Sequence, residues 1–115
     1  MNSSTSTLHA QTLHTLNASA REQAELLQRL LRCASPGDSL LLIENGVYNL
    51  TDADAIAAIN EAGLKLYCLQ ADLLARGLKQ YEQSGIPTVN GTKVIDDAEF
   101  VTLSCSHKKV ISWFV

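Results

Sequence analysis

The chain is predicted to fold as a single α/β domain: a three-layer α/β/α arrangement around an open, mainly parallel sheet of about five strands. Three observations support this. Leu40-Leu41-Leu42-Ile43-Glu44 carries four apolar residues without alternation. Bounded by Pro36-Gly37-Asp38 and Asn45-Gly46, it has the pattern of a strand buried on both faces. Strand-like and helix-like segments alternate along the rest of the chain, which favours parallel strands joined by right-handed crossovers with helices on both faces. Finally, 115 residues with 46% hydrophobic content can build one core without disulfides or a metal.

Taken in order, the polar segment up to Gln11 is expected to be a disordered leader, which leaves residues 12–115 as the domain. Thr12-Leu13-His14-Thr15-Leu16 alternates apolar and polar residues and is expected to form a first strand, at an edge or only half covered. Ser19-x-x-Glu22 has the form of a capping box opening a helix. Ala20, Ala24, Leu27, Leu31 and Ala34 then make an apolar stripe at helical spacing, and Ser35-Pro36-Gly37 ends that helix. Leu40 to Glu44 is the central strand. Its exit, Glu44-Asn45-Gly46-Val47-Tyr48, is expected to be a tight turn at the carboxyl end of the sheet, where α/β proteins receive ligands and partners.

Thr51-x-x-Asp54 resembles a second capping box, and Ala55, Ile56, Ala58, Ile59 and Ala62 supply the buried face of a helix stopped by Gly63. Leu64 to Leu69 is a third strand, Ala71 to Ala75 a short helix ended by Gly77, and Lys79 to Gly85 a polar loop. Ile86-Pro87-Thr88-Val89 offers an extended piece without a full hydrogen-bond ladder, and Asn90-Gly91 turns the chain into Lys93-Val94-Ile95. Asp96 or Asp97 caps a helix from Ala98 to Ser106, and Lys109 to Val115 is the last strand.

Several functional classes are disfavoured. The net charge is −3 and there is no run of basic residues, which argues against direct binding to nucleic acid. No window approaches the roughly 18 apolar residues of a membrane span, so a cytoplasmic protein is expected. Cys33, Cys68 and Cys105 are far apart and form no C-x-x-C pair, which fits a reducing compartment and no zinc site. No Gly-rich phosphate loop or other cofactor pattern is present.

The residues able to carry chemistry each have a structural explanation. Cys68 falls inside a buried strand. Cys105, at i+4 from Val101, is expected on the apolar face of its helix. Cys33 lies on the shoulder of its helix and is the weak candidate for a reactive thiol, although a helix C-terminus does not favour an anion. His14 is expected in an edge-like strand, His107 as a C-terminal cap, and Asp96-Asp97-x-Glu99 as capping rather than metal-binding carboxylates. His107 and Cys105, two apart on a helix, do not face each other. A small α/β domain of this kind, ending in Trp113-Phe114-Val115, is expected to act by touching another protein.

Beyond composition, an ordered set of strings spans about a hundred residues. These are Leu13-His14-Thr15-Leu16, Gly37-Asp38-Ser39-Leu40-Leu41-Leu42 leading to Glu44-Asn45-Gly46-Val47, Leu66-Tyr67, Asp72-Leu73-Leu74-Ala75-Arg76-Gly77-Leu78, Phe100-Val101-x-Leu103 and the terminal Trp113. Together they resemble the TusB/DsrH family of sulfur-relay subunits.

That resemblance implies a DsrE/F/H-like fold and a place in a hetero-oligomer with homologous TusC/DsrF-like and TusD/DsrE-like subunits, fed indirectly by a persulfide carrier protein. In TusBCD-type complexes the sulfur goes toward 2-thiolation of the tRNA wobble uridine; in DsrEFH-type complexes it enters cytoplasmic sulfur oxidation. The persulfide-bearing cysteine belongs to the TusD/DsrE-like partner. DsrH-like members can carry a cysteine in the first helix, at a position matching Arg29 or Leu30 here, with Cys33 about one turn later. This departure favours the TusB-like role, a subunit with no catalytic cysteine of its own. Glu44, Asn45, Gly46, Tyr48 and Trp113 are then the expected partner interface. A stand-alone ligand-binding domain and self-association of the isolated chain remain open alternatives.

Overall fold

A computed structural model of the chain describes residues 11–78 and 91–115. Ten elements alternate along it. They are β1 (Thr12–Leu16), α1 (Ala24–Cys33), β2 (Ser39–Leu42), a 3-10 segment (Glu44–Thr51), α2 (Ala53–Glu61), β3 (Lys65–Leu69), α3 (Gln70–Ala75), β4 (Lys93–Ile95), α4 (Asp97–Cys105) and β5 (Lys109–Trp113). The five strands form one sheet in the order β4-β3-β2-β1-β5, and all four neighbouring pairs are parallel. The leader up to Ala10, the polar loop from Lys79 and the Ile86–Val89 segment lie outside the described residues.

The apolar run at Leu40–Leu42 is buried because β2 is the middle strand and both faces are covered. Leu40 and Leu42 meet α1, the 3-10 segment, α2 and α3 through Leu27, Leu30, Val47, Ile56, Ile59 and Leu73. Leu41 points the other way, where it joins Leu13 and Ile95 beneath Phe100 and Leu103 of α4. Side chains that alternate along each strand therefore feed two clusters on opposite faces.

Several sequence expectations are corrected. β1 is no edge: it lies between β2 and β5, with its last four residues buried, because the last strand of the chain returns to its outer side. The Ser19 capping box does not form; the Ser19 hydroxyl accepts from the Arg21 N–H at 3.1 Å, the chain makes a further turn, and α1 begins at Ala24. The buried face of α1 is consequently centred on Leu27 and Leu30, Leu31 is half-buried and Ala24 is exposed.

The second helix is capped by Asp52, whose carboxylate accepts from the Asp54 and Ala55 N–H groups, and not by Thr51. The expected tight turn after β2 is the 3-10 segment of eight residues. On α4 the face toward the sheet is Phe100 and Leu103, at i and i+3, so Cys105 is exposed, not packed. Asp96 makes the full capping box with Glu99, as its position suggested.

Candidate functional site

The strand order turns back between β1 and β5, and at the carboxyl ends of the strands an open α/β sheet leaves a crevice at such a switch point. A cleft of about 270 Å³ lies there, lined by Asn17, Ala18, Glu22, Gln23, Glu44, Asn45, Arg76 and Val115. Each wall comes from a different exit loop, and the loops are tied to one another.

The Glu44 N–H donates to Asp72 Oδ2 at 2.7 Å, and Asn17 Nδ2 donates to Glu44 Oε1 at 3.3 Å. Arg76 Nε donates to Asn45 Oδ1 at 2.9 Å, while its Nη1 lies 3.5 Å from Asp72 Oδ1, one helical turn away. The strings Glu44-Asn45-Gly46-Val47 and Asp72 to Arg76, 28 or more residues apart, are therefore direct partners. Glu44 holds a φ of +50°, a left-handed conformation uncommon outside glycine.

Two residues beneath the cleft fix its floor. An added Cβ at Gly46 would sit 2.1 Å from the Leu16 carbonyl oxygen, so only glycine lets the 3-10 segment lie against the end of β1. Asn49, fully buried, uses all its amide groups on backbone. Its Nδ2 donates to Ala18 O at 3.0 Å and Gly46 O at 2.9 Å, and its Oδ1 accepts from the Ala20 N–H at 2.8 Å. The Ala20 contact accounts for the extra turn before α1. Sequence reasoning singled out neither Asn49 nor the Asp72–Arg76 contacts; an asparagine four residues from an Asn-Gly pair carries no pattern that distinguishes it from a turn residue.

A second polar group lies inside the molecule. Trp113 Nε1 donates to His14 Nδ1 at 3.1 Å, and His14 Nε2 lies 3.0 Å from Asp38 Oδ2. An indole N–H can only donate, so His14 Nδ1 accepts and the imidazole proton is assigned to Nε2, facing the carboxylate. Asp38 also accepts from the Thr12 N–H at 3.1 Å and the Ser35 N–H at 3.0 Å. Burial alone would raise its pKa; the Ser35, His14 and Thr12 hydrogen bonds outweigh that and hold it below its ordinary value. His14 is thus a buried core residue, 1% exposed, and not a residue of an edge strand.

The thiols stand apart from the cleft. Cys33 closes α1 and Cys105 closes α4. Helices that return antiparallel to the strands put their last residues at the amino end of the sheet, opposite the cleft. Both thiols are exposed, on opposite faces. Cys68 is buried, and burial pushes its thiol up to about 12. Arg29 is exposed and Leu30 fully buried. His107 caps α4, its Nδ1 lying 2.7 Å from Leu103 O and its Nε2 2.8 Å from Ser39 Oγ.

Of the expected interface residues, Glu44 and Asn45 are exposed at the cleft, Tyr48 is 38% exposed but not part of its lining, and Gly46 is buried. Trp113 is half-buried, its indole turned inward to His14. Among the described residues no group of three or more His, Cys, Asp or Glu is placed to hold a metal ion. No helix among them is long and apolar enough to cross a membrane.

Fold and site together define a small doubly wound α/β domain with a polar cleft at its switch point and no thiol lining it. The chain belongs to the TusB/DsrH family: the family model described as DsrH-like protein matches residues 18–110. Protein TusB of Escherichia coli O139:H28 is 37% identical over 86 residues, covering 73% of this chain and 83% of that protein. The TusB proteins of Shigella boydii serotype 18 and Escherichia fergusonii match to the same extent. The crystal structure of the ychN protein from E. coli superposes with a TM-score of 0.61 at 11% identity, over 90% of this chain and 98% of that one, which is a likeness of fold.

Proposed function

We propose that this chain is a non-catalytic subunit of a hetero-oligomeric sulfur-transfer complex that relays persulfide sulfur toward 2-thiouridine at the tRNA wobble position. Membership of the TusB/DsrH family makes it a sulfur-relay subunit, and the tRNA branch rests on the likeness to TusB proteins. The observation that carries the non-catalytic role is the separation of thiols from cleft. The residues around the switch point bear carboxylates, amides and a guanidinium, while the exposed thiols end α1 and α4.

A persulfide is readily lost to solvent thiols, so a neighbour that covers it and orients the incoming carrier protects transfer without supplying a nucleophile. In this account TusC/DsrF-like and TusD/DsrE-like partners meet the loops around Glu44, Asn45 and Tyr48, and the partner of TusD/DsrE type carries the sulfur. Co-purification with the two homologous subunits tests it. The complex should form, and Tyr48→Ala should weaken assembly about tenfold, the order expected for losing one aromatic interface contact; unchanged assembly removes this loop from the interface.

One observation favours a second reading. Cys33 is exposed on the first helix, the element in which DsrH-like members can carry a cysteine, which would make the chain a DsrH-like subunit of cytoplasmic sulfur oxidation. Mass spectrometry after incubation with a persulfide-loaded carrier separates the two: the tRNA branch expects Cys33 unmodified, the oxidation branch a persulfide on it.

A further inference from the structure

The Asp38–His14–Trp113 chain of hydrogen bonds lies mostly inside the molecule and is unused by the relay role, and its three members come from separate parts of the sequence. Asp38 precedes β2, His14 is the middle of β1, and Trp113 ends β5. The direction of each bond is fixed. The indole N–H has no acceptor capacity, and Asp38, which also receives two backbone N–H groups, takes the single imidazole N–H. From this geometry we infer that His14 is a proton-operated latch on β5: protonation at Nδ1 sets one N–H against another and releases the Trp113 indole.

The step balances simply. One proton is gained at His14 Nδ1, the Trp113 N–H to Nδ1 hydrogen bond is lost, and the Nε2–Asp38 contact becomes a charged pair that holds the imidazolium. Among the described residues, the elements packed against this side of the sheet turn apolar side chains toward it. β2 presents Leu40 in register with His14, and α1 meets this side of the sheet with Leu27, Leu30, Leu31 and Ala34. The nearest cation on β5 is Lys109, exposed and in register with Thr12 at the amino end of the pair. Asp38 is therefore the charge that faces His14.

The latch reaches the cleft through the backbone. The Trp113 carbonyl accepts from the Asn17 N–H at 3.3 Å, and the Val115 N–H donates to Asn17 Oδ1 at 3.2 Å. Asn17 in turn binds Glu44. Freeing the indole loosens the end of β5 and, with it, the cleft wall made by Asn17 and Val115. β5 is an edge strand, held only on its β1 side.

Trp113 is the sole tryptophan of the chain, so its emission reports the latch directly. On acidification that leaves the fold intact, the full-length protein should show a one-proton change in emission with unchanged far-UV circular dichroism. The indole N–H resonance of ¹⁵N-labelled protein should lose exchange protection in the same titration. The transition should survive His107→Gln and vanish in His14→Gln, whose amide offers one donor and one acceptor without titrating. Should His14→Gln fail to fold, the imidazole nitrogen resonances of the wild-type protein decide. Protonation of His14 with the indole still protected overturns the latch, as does emission that stays flat until the protein unfolds.

Discussion

The molecule keeps two polar networks that look alike on paper and differ in what they do. The Asp38–His14–Trp113 set is mostly buried, joins β1, β5 and the residue that leads into β2, and has its hydrogen bonds fixed in direction. The Asn17–Glu44–Asp72 and Asn45–Arg76 set lies at the carboxyl ends of the strands, is partly to fully exposed and, Asp72 apart, lines a cleft. A buried network must be satisfied in full, since an unpaired polar group there costs a few kcal/mol. An exposed one is worth little to stability, and its donors and acceptors remain available to another protein. Under the proposed function, stability rests on the first network and recognition on the second.

The largest expected effect falls in the floor beneath the cleft. Asn49→Leu removes three hydrogen bonds to buried backbone and should cost about 3 kcal/mol of stability or more. Urea unfolding measures it, and a loss well under 1 kcal/mol would mean the 3-10 segment is held by its apolar residues alone.

Asp38→Asn comes next. It leaves one of the N–H groups of Thr12 and Ser35 without its acceptor, at a cost of about 2 kcal/mol. It should also flatten the acid limb of stability. The folded-state pKa of Asp38 lies below its ordinary value of 3.8. Its contribution is therefore complete above that value and lost as the pH falls through the lowered one. Wild type should lose stability across that window more steeply than Asp38→Asn, and equal slopes in denaturant titrations would remove Asp38 as a source.

Arg76→Ala should have the smallest effect on stability, about 0.5 kcal/mol, yet should weaken assembly with the homologous subunits by releasing Asn45 and the Glu44 loop. A large loss of stability with unaltered assembly would reverse the division between the two networks.

Much of this was legible in the sequence, and the failures have specific causes. The limits of β1 and the central position of β2 follow from alternation and from an unbroken apolar run. The place of β1 in the sheet does not, because its outer neighbour β5 is nearly the whole chain away. Thr15 and His14 read as half-exposed until Ser112, Asp38 and Trp113 supply their partners. On α4 the exposed Val101, 62% accessible, drew the apolar face toward Cys105, whereas Phe100 and Leu103 make the contact. Around the cleft, Glu44, Asn45 and Tyr48 were visible as an exit loop. Their partners Asp72 and Arg76 were not, since pairing across 28 and 31 residues leaves no local spacing to detect.

In the proposed function this chain shapes and covers a sulfur-transfer site without touching the sulfur through a thiol. The direct test is transfer of isotopically labelled persulfide sulfur through the complex reconstituted with the Cys33→Ser/Cys105→Ser double variant, leaving buried Cys68 in place. The expected result is a transfer rate within about twofold of wild type and no label retained on this subunit. A loss comparable to that from mutating the cysteine of the partner subunit, or label appearing on wild-type Cys33 or Cys105, would contradict it.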